Sequence, residues 1–168
     1  VGSEMCIRDR IYADGVNRMI DRQGKTYDLP DVFQTDIVAP GVVRFLKSAN
    51  ADAPWGLYDF VARKELVAPA FRHIGHFQNG QAVASLGADR VGVINMQGQW
   101  VLPASHYGIA RVNDKLWRVM QAGGQGEDYE RPAALFNDQG RPLTSFQRLL
   151  QVSDEERGFV TALSLIHI

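Results

Sequence analysis

The sequence predicts an all-β protein built from tandem β-hairpins, and three observations carry that expectation. Short apolar or alternating runs are bounded by Gly, Asn, Asp and Pro, the punctuation of strands and turns. Self-similar segments open at residues 55, 91 and 133, so 36 and 42 residues separate them, and a weaker copy opens near residue 17. Each copy carries a polar turn followed by an apolar return strand, the arrangement of a hairpin.

Composition sets the outer bounds. The chain has 168 residues, with 18 Lys and Arg against 19 Asp and Glu, a formal charge of −1. That balance gives no electrostatic reason to expect a nucleic-acid partner or an anionic membrane surface. Hydrophobic residues are 45% and charged residues 22%, the proportions of a chain that folds around a core. The longest apolar run falls far short of the roughly 20 residues that a membrane-spanning helix needs.

Residues 1–10 and 163–168 are expected to be foreign to the protein. A coding sequence for Met5-Cys6-Ile7-Arg8-Asp9 has a reverse complement that, shifted in frame, reads Leu163-Ser164-Leu165-Ile166-His167. The two ends thus fit one short DNA duplex translated from opposite strands, and they resemble the transposase end sequence used to prepare sequencing libraries. With them go the only cysteine, Cys6, and any disulfide argument about compartment. Residues 11–162 remain, with four repeats expected at 17–54, 55–90, 91–132 and 133–162, the last truncated.

The elements follow from the copies in order. The first reads Asn17-Arg18-Met19-Ile20-Asp21, turns at Gln23-Gly24-Lys25, and returns through Tyr27-Asp28-Leu29-Pro30. The second opens Trp55-Gly56-Leu57-Tyr58-Asp59 and returns through Leu66-Val67-Ala68-Pro69. The third opens Val91-Gly92-Val93-Ile94-Asn95, turns at Gln97-Gly98-Gln99, and returns through Trp100-Val101-Leu102-Pro103. The fourth opens Ala133-Ala134-Leu135-Phe136-Asn137 and turns at Asp138-Gln139-Gly140. Gly98 and Gly140 supply the positive φ of a tight turn. Pro69 and Pro103 are expected to end their strands, because proline cannot extend a ladder. A short aromatic-led segment and a polar turn then lead to an exit strand, Gly41 to Phe45 in the first copy, which makes three strands per repeat. Residues 146–151 alone have a helical look.

These segments resemble the WG repeat, a tryptophan–glycine repeat found mainly in bacterial proteins. Trp55-Gly56 followed by an apolar strand and Pro69 carries the likeness, with Gly92, Gly98, Trp100 and Pro103 in the third copy and Gly140 in the fourth. Val91, Ala133-Ala134 and Asn17-Arg18 depart from the Trp-Gly pair. The resemblance implies a β-rich repeat array, often in large or exported bacterial proteins of the cell envelope, with no general enzymatic activity. An open stack of repeats is preferred over a propeller-like closed arrangement, because three strands per repeat are too few for propeller blades.

Candidate sites are few. His73 and His76 have the spacing of two ligands on a helix face, but no third ligand stands near them in sequence and Gly75 disfavours a helix, so they read as surface residues. Gly123, Gly124, Gly126 and Arg131 lie where the third copy exceeds the second in length, and form the candidate binding loop. Trp55, Trp100 and Trp117 fall at positions where other copies hold apolar residues, and are expected in the core. The charged stretch 153–157 reads as a solvated turn. No catalytic set, metal site or cofactor motif is expected. The resulting functional expectation is a non-catalytic scaffold that binds a protein, a peptide or an envelope glycan. The alternative is an accessory repeat region of a larger enzyme, whose catalytic domain lies outside this sequence.

Overall fold

A computed structural model of the chain describes residues 7–13, 16–21, 23–29, 31–123, 131–154 and 160–164. Fifteen strands and no helix occupy the described residues, arranged as antiparallel sheets linked by hairpins. None of these sheets closes on itself. The chain divides into two compact units within one strand: residues 1–82 with the turn Met96–Gly98, and residues 83–95 with 99–168.

The first unit holds a three-stranded and a four-stranded sheet. β1 (Ile7–Ala13), β2 (Val16–Asp21) and β3 (Thr26–Leu29) form a meander, in which β1 takes in residues 7–10. β4 (Gln34–Ala39), β5 (Val42–Leu46), β6 (Trp55–Asp59) and β7 (Lys64–Phe71) form the second meander. β8 (His73–Ile74) follows at once. Met19, Tyr27, Leu29, Val43 and Phe60 pack into one apolar core, with Tyr27 edge-on to Phe60 at 5.4 Å.

In the second unit, strands follow one another across a sheet from the last residues of β9 (Gln81–Ser85) through β10 (Val91–Asn95), β11 (Trp100–Asn113), β12 (Leu116–Gln121) and β13 (Ala133–Asn137). Its core is Val93, Leu102, Trp117, Val119, Ala134 and Phe136. After β13 the chain turns back, bridging Phe136 to Pro142 and Ala133 to Gln147. β14 (Leu149–Asp154) and β15 (Val160–Ser164) pair as a hairpin.

Three local expectations are corrected. Residues 146–151 are not helical: Gln147 bridges Ala133, and β14 begins at Leu149. The aromatic-led segments are strands in their own right, β4 and the second half of β11, so the first expected repeat holds four strands, β2 to β5, rather than three. Pro69 and Pro103 lie inside β7 and β11 and do not end them. The ladder explains why. Trp55 pairs with Phe71 and Leu57 with Val67, so Pro69 falls in a bulge between pairs, where its missing N–H leaves no ladder bond unmade. Pro103 does the same between the pairs Val91 with His106 and Val93 with Leu102.

Candidate functional site

The turns that follow β2, β6, β10 and β13 share one device. Asp21 Oδ1 accepts the amides of Gln23 and Lys25 at 3.0 and 2.9 Å. Asn95 Oδ1 accepts the amide of Gln99 at 3.0 Å, and Asn137 Oδ1 those of Gln139 and Arg141 at 3.1 and 2.8 Å. Asp59 Oδ1 accepts the amides of Val61 and Ala62 at 2.9 and 2.8 Å. A side-chain carboxylate or amide oxygen thus ties down each turn as a backbone carbonyl would. Gly24, Gly98 and Gly140 occupy the left-handed position three residues on, with φ of 81°, 74° and 77°. The Asp59 turn is one residue longer, pairing Asp59 with Lys64, and there Arg63 takes a φ of 54°.

The glycines of the opening strands answer a different need. A Cβ at Gly56 would lie 2.7 Å from both Phe45 Cε1 and the Val67 carbonyl oxygen. A Cβ at Gly92 would lie 2.5 Å from the Leu102 carbonyl oxygen and 2.6 Å from Trp100 Cζ3. In each case an aromatic ring and the bulged neighbouring strand close over bare backbone. The three tryptophans then separate. Trp117 is 2% exposed, at a position where Val43 and Ala82 are also buried. Trp55 is half-buried. Trp100 is 37% exposed and does not enter the core as expected, because it covers Gly92 while Leu102 fills the interior.

A cluster of polar and charged groups surrounds Arg44 in the first unit. Asp36 and Arg44 are direct partners across β4 and β5, and Trp55 lies diagonally on β6. Arg44 Nε and Nη2 donate to Asp36 Oδ2 at 3.1 and 3.0 Å, and Nη1 donates to the Ile74 carbonyl at 2.6 Å. The guanidinium carbon stands 4.6 Å from the centre of the Trp55 ring, a cation–π contact. His73 Nδ1 is 3.5 Å from Arg44 Nη1. Burial first, then the charges of Arg44 and His76, hold the pKa of His73 below its ordinary value of 6.5. Among the described residues no group of three or more His, Cys, Asp or Glu side chains could hold a metal ion.

The candidate binding loop is only partly described. Gly123 is exposed with a φ of 77°, and Arg131 stacks over Tyr107 at 3.6 Å. The base of the loop is closed by the Gln121 amide donating to the Pro132 carbonyl at 2.9 Å. Gly124 and Gly126 lie outside the described residues, as does most of the stretch 153–157; Ser153 and Asp154 belong to β14. Sequence reasoning did not single out Arg44, Asp36 or the four turn acceptors. The recurrence of Asp or Asn just before each turn was the available signal for the last group.

No family model matches the sequence, and no curated protein matches it. Among solved structures the chain is similar to the computationally designed Ika8 protein, with a TM-score of 0.43 and 10% identity. That match covers 95% of this chain and 58% of the designed one, and at that score it carries no argument. Among the described residues no helix is long and apolar enough to cross a membrane, which says nothing of crossing by strands.

Proposed function

We propose that the chain is a WG-like repeat scaffold that binds a protein, a peptide or a glycan through the outer faces of its sheets. The observation that carries the repeat reading is the coincidence of register in two hairpins. From β6 to β7 the partners run Trp55 with Phe71, Leu57 with Val67 and Tyr58 with Glu65. From β10 to β11 they run Val91 with His106, Val93 with Leu102 and Ile94 with Trp100. Both ladders slip at the same two steps, and each carries its proline in the wider slip. The shared turn device at Asp21, Asp59, Asn95 and Asn137, separated by 38, 36 and 42 residues, supports the same reading. A stack of such hairpins suits a chain in which each hairpin buries its apolar face against a neighbour, and with four strands to a repeat the strand count no longer separates an open array from a propeller-like closed one.

The binding role rests on two places where a half-buried aromatic ring lies against a half-buried arginine. Arg44 with Trp55, and Arg131 with Tyr107, present a flat ring beside a charged group, a pairing suited to peptide or sugar recognition. The test is binding of the purified chain to immobilised glycan and peptide arrays, repeated with Trp55→Ala and Tyr107→Ala. The scaffold reading expects a defined ligand class whose binding falls at least tenfold in one of the two variants, the loss of about 1.4 kcal/mol of contact energy. Binding indifferent to both variants would remove these faces from the account.

A further inference from the structure

Residues 73–77 form a short strap whose first part, β8, pairs with β9 and which has two further fastenings to the four-stranded sheet of the first unit. One is the bond from Arg44 Nη1 to the Ile74 carbonyl. The other is the Phe77 amide, which donates to the Val38 carbonyl at 2.7 Å. Val38 lies on the edge strand β4, as the extra residue of the bulge between the pairs Ile37 with Val43 and Ala39 with Val42. Between the fastenings the strap buries Ile74 completely. The edge strand is therefore covered at this point by the end of the strap, which the Phe77 amide joins to Val38.

The first fastening is chemically conditional. Arg44 already gives Nε and Nη2 to Asp36 on β4, and its Nη1 serves the strap. The Nδ1 atom of His73 faces that same Nη1 at 3.5 Å, an arrangement that a lone pair on Nδ1 satisfies and a proton on it does not. The remaining charged groups around His73 do not relieve the conflict. His76 adds a second imidazole on the strap, and the neighbouring Arg72 is turned to Asp52, with an ion pair at 2.6 Å. Protonation of His73 would set two cations against each other across the bond that holds Ile74.

We propose that residues 73–77 form a pH-sensitive strap, held on β4 and β5 through Arg44 at neutral pH and released when His73 takes up a proton. Release from β4 bares the Val38 segment of its edge while β8 stays paired with β9, so that a sheet edge becomes available for pairing in mildly acidic surroundings. The proposal does not depend on the repeat reading.

Hydrogen exchange of the Phe77 amide tests it, read by NMR on the full chain at about pH 7.5 and about pH 5.5 and corrected for intrinsic exchange. In the unsubstituted chain and in His106→Gln, protection at Phe77 falls several-fold at the lower pH while amides of β5 keep theirs. In His73→Gln, which retains an acceptor that does not titrate, protection at Phe77 stays level. Unchanged protection in the parent chain, a loss shared equally by β5, or a loss that persists in His73→Gln overturns the strap.

Discussion

The side chain of Asn137 accepts the backbone amide of Arg141 at 2.8 Å, and Asn95 makes the matching bond to Gln99 at 3.0 Å, 42 residues earlier. Two turns in one chain are thus closed by the same atom of the same residue type. Replacing Asn137 with Ala strips the turn of both its bonds to Oδ1, those from Gln139 and Arg141. The expected cost is about 1 kcal/mol, while Asn137→Asp keeps the acceptor and costs less. Urea denaturation of both variants measures the difference, and equal midpoints would show that the acceptor does not stabilise the turn.

Two glycines should respond unequally to alanine. Gly92→Ala drives a methyl against the Leu102 carbonyl and the Trp100 ring, and neither strand backbone can yield cheaply. A loss of about 2 kcal/mol or more is expected, in the range of overpacked cores. Gly24 has open space around it and only its φ of 81° to defend, so Gly24→Ala should cost about 1 kcal/mol. Thermal or chemical unfolding ranks the pair, and the reverse order would contradict the packing described.

Arg63 offers a substitution in the other direction. Its φ of 54° is a conformation that glycine adopts without strain, and its side chain is exposed. Arg63→Gly should therefore stabilise the chain by about 0.5 kcal/mol, the relief of strain exceeding the added entropy of the unfolded state. A destabilised variant would mean that the turn tolerates Arg63 at no cost.

The tryptophans separate by burial. Trp117→Ala should cost about 3–5 kcal/mol, the loss typical of a large core side chain. Trp100→Ala should cost far less in stability, since the ring covers Gly92 from the solvent side. Comparable losses at the two sites would place Trp100 in the core after all.

Acidification should weaken the second unit through His106. Its Nε2 is buried without a hydrogen-bond partner among the described residues, and its ring lies 6.1 Å from Phe136 and 6.4 Å from Phe146. Burial holds its pKa below the ordinary 6.5, so folding favours the neutral ring. The contribution to stability is fully present above 6.5 and is lost as the pH falls from there through the lower folded value. His73 acts in the same direction in the first unit. Urea midpoints should drop between about pH 7.5 and about pH 5, and less steeply in His106→Gln. An identical slope in the variant would leave His106 without a part in it.

Much of the strand content was legible because the two demands it makes on sequence are local. A turn with positive φ asks for glycine, which stands at 98 and 140, and a strand asks for apolar or β-branched runs such as Val93-Ile94. β4 was harder to read, since Gln34-Thr35-Asp36 puts polar residues where a strand signal is weakest. The prolines misled for a related reason. Whether Pro69 ends β7 or rides in a bulge depends on the register of β6, and register is set by pairing rather than by composition. The Arg44 cluster was beyond reach, because Asp36, Trp55, His73 and Ile74 meet only after four strands and the following segment have been placed. Likewise, nothing local told Trp100 from Trp117: both are strand tryptophans, and only the layering of the sheet decides which one faces inward.

The register of two hairpins is the most direct measurement of the repeat account. Cross-strand nuclear Overhauser effects should connect Trp55 with Phe71 and Leu57 with Val67, then Val91 with His106 and Val93 with Leu102. That result places the same two slips, each with its proline, in both ladders. A regular ladder through Pro69 or Pro103, or slips at different steps in the two hairpins, would contradict the claim that they are copies of one unit.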